Sequence, residues 1–543
     1  MRRTAPLRSV GTLARRASLL VLLLLVVGPL VGRAAAHATL VASVPADDEV
    51  VTARPTEITL DFDEAVSVDR QSVTVLDPSG ARVDRGRAEP SRGSTRLTVP
   101  VGDGGRGTYT VSYAVLSADG HVVTGSYTYH VGERTGAAAV DDAQRTAGAT
   151  IAVLGRWIAL LGSFVAAGVL WTALFVTGRA QVGPSRRWTG GLPSARRVLL
   201  PAAAATLFGT AMALLGRAAE LSGRSIDGAV TEIPGLVSGS RTGTVAGLRV
   251  LVALVLLVAV AGEVLLRRAP WLAAAGILAA LLLPTFGGHA TTTSPVAAAV
   301  LLDLVHVVAA SVWVGGLAVL VLTWRDDGPP ALADRARAYS RTALVAAPLT
   351  VLTGLARGWW VSQSWEALTS TSSGRLVLAK AVGAAVMLAF GWVHRRWLAD
   401  RAREVVTMVV GMRSELLVAI AVLAVTAVLI DVRPPVDSVV RPFEGGATAG
   451  SVDVRLEVVP DRAGPNDVHM FFSDDIGRPV PVDAVELKVS SSAVEPRRVP
   501  LTTITASHST ATGVQLTRGT WNFDIVLVRK GVPASTRIEV PIR

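Results

Sequence analysis

The chain has 543 residues, is 50% hydrophobic and 17% charged, and has a mean hydropathy of +0.46, which is too apolar for an ordinary soluble protein and reads as a membrane protein. Its formal charge of +11 does not point to nucleic acid, because most of the excess arginine lies in short loops between apolar segments. Cysteine is absent, which excludes disulfides, thiolate metal sites and a cysteine nucleophile; none of the lysines, Lys380, Lys488 and Lys530, follows a glycine, so no nucleotide-binding P-loop or P-type-pump DKTG can be written.

Residues 1–36 read as a secretory signal: a basic start with Arg2, Arg3, Arg8, Arg15 and Arg16, the apolar run "ASLLVLLLLVVGPLVG", then the small residues Ala34 to Ala36. Cleavage there makes His37 the first residue of the mature chain; the alternative is an uncleaved anchor with His37 in a spacer. Residues 37–132 alternate in period two between turn signals, as in "TEITLDFDEAV" and "GTYTVSYAVLSADGHVVTGSYTYHV", and predict a small antiparallel β-sandwich. Residues 133–150 read as a linker.

From 151 to 432 the chain carries eight apolar segments, near 151–177, 197–219, 244–266, 270–286, 297–323, 342–361, 374–396 and 414–432, and predicts an all-α eight-helix transmembrane bundle. Arginine-rich loops alternate with the arginine-free "GGHATTTSP". Under the positive-inside rule the former are cytoplasmic, which puts both flanking polar regions outside a plasma membrane, as the signal does. After a second linker at 433–450, residues 451–543 turn strand-like again and predict an exported β-sandwich.

The chemistry starts at His37. A free α-amine and the imidazole of the same residue chelate as a pair, and "SADGHVVTG" adds Asp119 and His121, which in an extended segment project to one side. Three nitrogens and one carboxylate oxygen suit tetragonal Cu(II), with zinc as second choice. Residues 37–132 contain no Met or Cys, so this domain should be poor at Cu(I). Taken alone, Asp119-Gly120-His121 also reads as a turn, and His130, Tyr109, Tyr113, Tyr127 and Tyr129 read as structural.

These residues carry a resemblance. "HATLVASVPADDEVV" and "YAVLSADGHVVTGSYTYHV" resemble the copper-resistance protein CopC, whose Cu(II) ligands fall on His37, Asp119 and His121. "GGHATT", "DLVHVVAASVWVGGL" and "SGRLVLAKAVGAAVMLAFGWVHRR" resemble the membrane protein CopD. The tail after residue 450 resembles the small β domain that follows CopD in fused actinobacterial-type proteins. Two departures stand out: the methionine-rich Cu(I) site of some CopC proteins is missing, and His394 stands where a less basic polar residue is expected.

Ionisable residues inside apolar segments mark pathways because each is costly in hydrocarbon. Asp303 and His306, one helical turn apart, can pair; with His289 in the preceding outer loop and Lys380 they outline a transmembrane copper path. Glu220 reads as interfacial, and Met212 and Met387 as packing. In the C-terminal region, adjacent His469 and Met470 point to opposite faces of a strand and cannot easily share an ion, so weak or no copper binding is expected of residues 451–543.

The resulting expectation is a non-enzymatic protein that binds copper outside the cell and transports it, with import the preferred direction. Its partners are copper ions, the lipid bilayer and copper-delivery proteins, without nucleic acid or nucleotide. The alternatives are a membrane-anchored copper store or sensor for copper resistance, and a membrane haem or copper redox enzyme.

Overall fold

The computed structural model describes residues 38, 40–62, 65–68, 72–91, 93–117, 120, 122–138, 143–176, 192–262, 270–291, 293, 295–325, 329–362, 364–399, 405–432, 443–459, 461 and 464–542. The signal segment 1–36, together with His37, Asp119 and His121, lies outside them.

The N-terminal region forms β1 (Leu40–Val44), β2 (Val50–Val51), β3 (Glu57–Phe62), β4 (Val66–Ser67), β5 (Val73–Leu76), β6 (Glu89–Pro90), β7 (Arg96–Pro100), β8 (Gly107–Ser117) and β9 (Val122–Val131). One sheet has the order β1-β3-β7-β6; the other has β2-β9-β8-β4, with β5 also on β8. Alternation in "EITLDF" turns Ile58, Leu60 and Phe62 inward, where they meet Leu97, Val75 and the cross-strand pair Tyr109 and Tyr129, whose rings stack at 5.0 Å. The β8–β9 hairpin therefore holds the centre of the sandwich and carries the connection 118–121 at its tip.

The helices are α1 (Ala143–Trp171), extended by a π-helical stretch Thr172–Val176, α2 (Leu192–Ser222), α3 (Ile226–Ala229), α4 (Ile233–Gly239), α5 (Arg241–Ala261) and α6 (Pro270–Leu282). Then come α7 (Val296–Ala310), a π-helical stretch Ser311–Gly315, α8 (Gly316–Leu322), α9 (Pro329–Ser362), α10 (Trp365–Ser370), α11 (Ser372–Ala399) and α12 (Val405–Leu429). Eight spans are long and apolar enough to cross a membrane: α1, α2, α5, α6, α7 with α8, α9, α11 and α12. The first begins at Ala143, inside the stretch that reads as a linker, because Arg145 reaches back to the carbonyls of Glu220 and Leu221 and ties the extra turns to the end of α2.

Small residues let the spans touch. A Cβ on Gly162 would meet the backbone of α2 at Ala202 O and Thr206 N, both at 2.6 Å, and a Cβ on Gly315 would meet Gly168 Cα at 3.0 Å. The fifth span is 67% buried and the first 61%, against 6% for the seventh, so the first and fifth form the axis and α11 lies at the lipid-facing rim.

The C-terminal region forms β10 (Phe443–Ala449), β11 (Val452–Val459), β12 (Gly464–Ser473), β13 (Ala484–Ser491), β14 (Val494–Val499), β15 (Thr502–Thr505), β16 (His508–Leu516), β17 (Gly519–Arg529) and β18 (Val532–Ile542). Sheets β10-β11-β12-β16-β15 and β14-β13-β17-β18 enclose Leu456, Met470, Phe472, Trp521 and Phe523. Strand β10 falls in the stretch read as the second linker: "FEGGATA" lacks a periodic apolar signal, and only its pairing with β11 makes it a strand.

Replacing Gly162 by Leu should overpack the α1–α2 seam at a cost of about 1–3 kcal/mol. The expected result is a lower melting temperature for Gly162→Leu in detergent, with Val255→Leu on the exposed face of α5 unchanged; thermal unfolding followed by circular dichroism checks both.

Candidate metal centre

The N-terminal sandwich meets the bundle at the end where α2 finishes and α5 begins. Leu116 at the end of β8 and Val122 at the start of β9 pack against Leu214, Leu221 and Leu236, and Ser67 Oγ donates to Gly239 O at 3.0 Å. Between them Gly120, with φ +93°, lies against Thr242 and Gly287: a Cβ there would run into Thr242 Oγ1 and stand 3.0 Å from Gly287 O. Thr242 Oγ1 itself donates to Gly287 O at 2.9 Å. Residue 120 must therefore be glycine on two counts, a left-handed backbone and a close approach. Among the described residues, no group of three or more His, Asp or Glu side chains is placed to hold a metal ion.

Gly287 closes the turn after α6, and His289 opens the short 3-10 turn His289–Thr291 that leads towards α7. Asp303 and His306 share a face of α7, as their spacing predicts, but they do not pair with each other. Both are engaged by α9: Asp303 by Arg357 at 3.5 Å, and His306 Nδ1 by Thr353 Oγ1 at 3.0 Å and Thr350 O at 3.1 Å. Gly354 leaves room for the ring, since a Cβ there would stand 3.1 Å from His306 Cε1. The bonds at Nδ1 leave Nε2 as the nitrogen available to an ion. Lys380 is half-buried on α11.

Several buried charges escape a sequence reading because their partners are distant. Asp431 just beyond α12 takes Arg156 of α1 and, at 2.5 Å, Arg217 of α2, which also holds Glu220 at 3.1 Å; Glu220 is thus a member of a buried ion network. Arg249 on α5 donates to Ala280 O at 2.8 Å and to Ser163 Oγ at 2.9 Å, joining three spans. His394 meets Glu415 of α12 at 3.1 Å, with both side chains buried, so a carboxylate answers the unexpected basic residue. Met387 is packed among Trp313, Ala346, Ala347 and Ala419, as read from sequence.

Comparison with known proteins now bears on this arrangement. The CopC domain family model matches residues 40–132, and that of copper resistance protein D matches residues 333–429. Protein YobA of Escherichia coli K12 is 37% identical over 98 residues, 18% of this chain and 79% of that protein. The chain belongs to the CopC and CopD copper-resistance family. Copper transport protein CutJ of Bacillus subtilis is 26% identical over 462 residues, 82% of this chain and 83% of that protein. Among solved structures, CopC from Methylosinus trichosporium OB3b is 31% identical, covering 18% of this chain and 97% of that one with a TM-score of 0.17; methionine-rich PcoC of Escherichia coli is 30% identical, covering 18% and 99% with a TM-score of 0.15. The CopD match spans α9 to α12, and so includes Arg357, Lys380 and the His394–Glu415 pair but neither Asp303 nor His306.

The C-terminal sandwich, matched by neither family model, holds a pair of histidines. Met470 faces the core, whereas His469 on the opposite face of β12 meets His508 of β16, with Nδ1 to Nε2 at 3.3 Å. Burial pushes the His508 imidazole down to about 3, with His469 and then Arg455 adding to the effect, and burial lowers His469 as well. Between pH 6.5 and about 3 the unfolded chain therefore binds protons that the folded domain excludes, so the contribution of this pair to stability falls as pH drops below about 6.5 and is unchanged above it. Hydrogen exchange corrected for intrinsic rates should show β12 and β16 losing protection between pH 7.5 and 5.5. His508→Phe should weaken that dependence.

Proposed function

We propose that the chain captures Cu(II) outside the cell and passes copper inward through the helical bundle. The observation that carries this reading is the seat of Gly120, flanked in sequence by Asp119 and His121, on Thr242 and Gly287, two residues before His289. The capture site consists of the His37 α-amine and imidazole with Asp119 and His121. Copper moves from there to His289 and on to the outer half of the fifth span, where Nε2 of His306 receives it. A cation that uses Asp303 competes with Arg357, and Lys380 raises the positive charge near the path, so passage is a sequence of exchanges between groups that already have partners.

Energetics favour the inward direction. The sequence has no nucleotide-binding motif, and the membrane potential draws a cation inward with about 2.3 kcal/mol per elementary charge per 100 mV. In this reading both sandwiches are extracytoplasmic and the arginine-rich loops are cytoplasmic, as charge distribution supports. The relative named a copper transport protein matches over most of both chains, which supports transport over a store.

Capture and passage are separable. His306→Ala, and Thr242→Trp, which fills the seat of Gly120, should each abolish most copper accumulation in cells while leaving Cu(II) affinity of the N-terminal domain unchanged. Normal accumulation in both variants would remove α7 and the docking contact from the route.

Export itself completes the capture site. The α-amine, with a pKa near 8 in unperturbed chains, becomes a free ligand only when the peptide bond after Ala36 is cut. A domain beginning at His37 should bind Cu(II) several orders of magnitude more tightly than the same domain with an extra Ala in front, and the two should differ in EPR spectrum. Equal affinity would exclude the amine as a ligand.

A further inference from the structure

We infer that His130 is a pH-sensitive clasp: with both ring nitrogens protonated it fastens residues 133–138, which lead from the N-terminal sandwich towards the first span, along β8, and loss of one proton releases them. His130 is 5% exposed and lies at the open end of the β8–β9 hairpin, where the register sets it opposite Thr108. Its Nδ1 stands 2.9 Å from Thr108 Oγ1, and its Nε2 stands 2.9 Å from Asp48 Oδ1 in the turn between β1 and β2.

Hydrogen-bond accounting fixes the charge. The Thr108 hydroxyl has one proton and two lone pairs. The proton goes to Thr135 O at 2.7 Å, and one lone pair takes the Thr135 N–H at 2.8 Å. The other lone pair faces Nδ1, which must therefore donate. A carboxylate only accepts, so Nε2 donates to Asp48 as well, and a ring that donates from both nitrogens is an imidazolium. Asp48 cannot be the donor instead, because its side chain is 61% exposed and its other oxygen takes the Arg134 guanidinium at 2.9 Å. The remaining charges around the ring are engaged elsewhere or face solvent. Asp47 Oδ1 accepts from Thr128 N at 3.2 Å, Glu49 Oε2 accepts from Ala46 N at 2.7 Å, Arg106 lies against Gly132, and Glu133 is exposed.

The neutral ring cannot keep every bond. With its proton on Nε2, Nδ1 becomes an acceptor and draws the Thr108 hydroxyl, which then leaves Thr135 O. With the proton on Nδ1, a lone pair faces the Asp48 carboxylate. Thr108 N also donates to Thr135 Oγ1 at 2.9 Å, and Thr110 Oγ1 to Ala138 O at 2.9 Å, so the segment lies along β8 by a short row of bonds that begins at the charged ring. Its release adds residues 133–138 to the tether before α1 starts at Ala143, roughly 20 Å of extra reach. That length lets the sandwich lift from the helices on which Gly120 is seated, so acid holds the sandwich on the bundle and alkali frees it. The clasp lies roughly 25 Å along β9 from the connection 118–121, so it titrates apart from the proposed copper ligands and does not rest on the uptake reading.

The test uses the full chain in detergent, isotope-labelled at its eight histidines, with the His130 ring assigned in NMR spectra through its contact with Thr108. The ring should show two protonated nitrogens at about pH 5 and the neutral Nε2–H tautomer at about pH 9. As it loses its proton, hydrogen exchange in residues 133–138, corrected for intrinsic rates, should speed up about tenfold. Asp48 has φ +60°, a conformation Asn also tolerates, so Asp48→Asn keeps the turn and an acceptor for Nε2 but removes the charge. It should move both changes to lower pH, which a purely structural histidine would not do. A ring that keeps one charge state across the range, or exchange that does not follow the ring, overturns the clasp. Both readings come from the parent, so they decide the matter even if the variant does not fold. The samples contain no copper, so failure of the uptake reading is scored separately.

Discussion

The helical region is built on a contact that only glycine permits. Gly168 of α1 and Gly315 of the π-helical stretch before α8 bring two backbones together, and a Cβ on Gly168 would run into the Gly315 carbonyl. Trp171 Nε1 donates to Ser311 Oγ at 2.9 Å just beyond, which fixes the rotation of the two helices. With the first and fifth spans locked, α9 can lie along α7 closely enough for Arg357, Thr350 and Thr353 to reach Asp303 and His306. A π-helical stretch shifts the side chains that follow it by part of a turn, and such stretches recur at functional sites for that reason. Here two of them flank the axis.

Charge neutralisation is the second constraint. In hydrocarbon an isolated charge is costly, and Arg145, Arg156, Arg217 and Arg249 of this bundle each find carbonyls or carboxylates. Arg249 completes the end of α6, while Asp431 gathers Arg156 and Arg217 from two helices. Among the described residues Lys380 has neither a hydrogen bond nor an ion pair, which sets it apart from these structural charges. The same logic separates His306 from His394: the latter is buried against Glu415, whereas the former is oriented through Nδ1 by neutral oxygens and keeps one nitrogen for other use.

Sequence made the local features legible. Period-two alternation identified the strands around Ile58 and Leu60, and apolar length identified eight spans, because both signals are carried by neighbouring residues. It failed where the partner is remote. Asp303 reads as a partner for His306 because they are one turn apart, yet Arg357 and Thr353 decide the matter from another helix. His469 stands beside Met470 in sequence, although its neighbour in space is His508. Strand β10 carries two glycines and no apolar rhythm, so it became visible only with its pairing to β11. Nor does anything in "SADGHVVTG" reveal that Gly120 is fitted to another domain.

That fit bears on how copper would enter. A capture domain on a flexible tether would release its ion into bulk solvent as readily as to a receiver. Here Leu116 and Val122 bury an apolar patch on either side of the connection, so this end of the β8–β9 hairpin is held against the bundle. The contact at residue 120 is made by backbone and a threonine hydroxyl, none of which competes strongly for Cu(II). In the proposed reading docking and coordination would use different atoms, so an ion could leave its ligands without the domains having to separate.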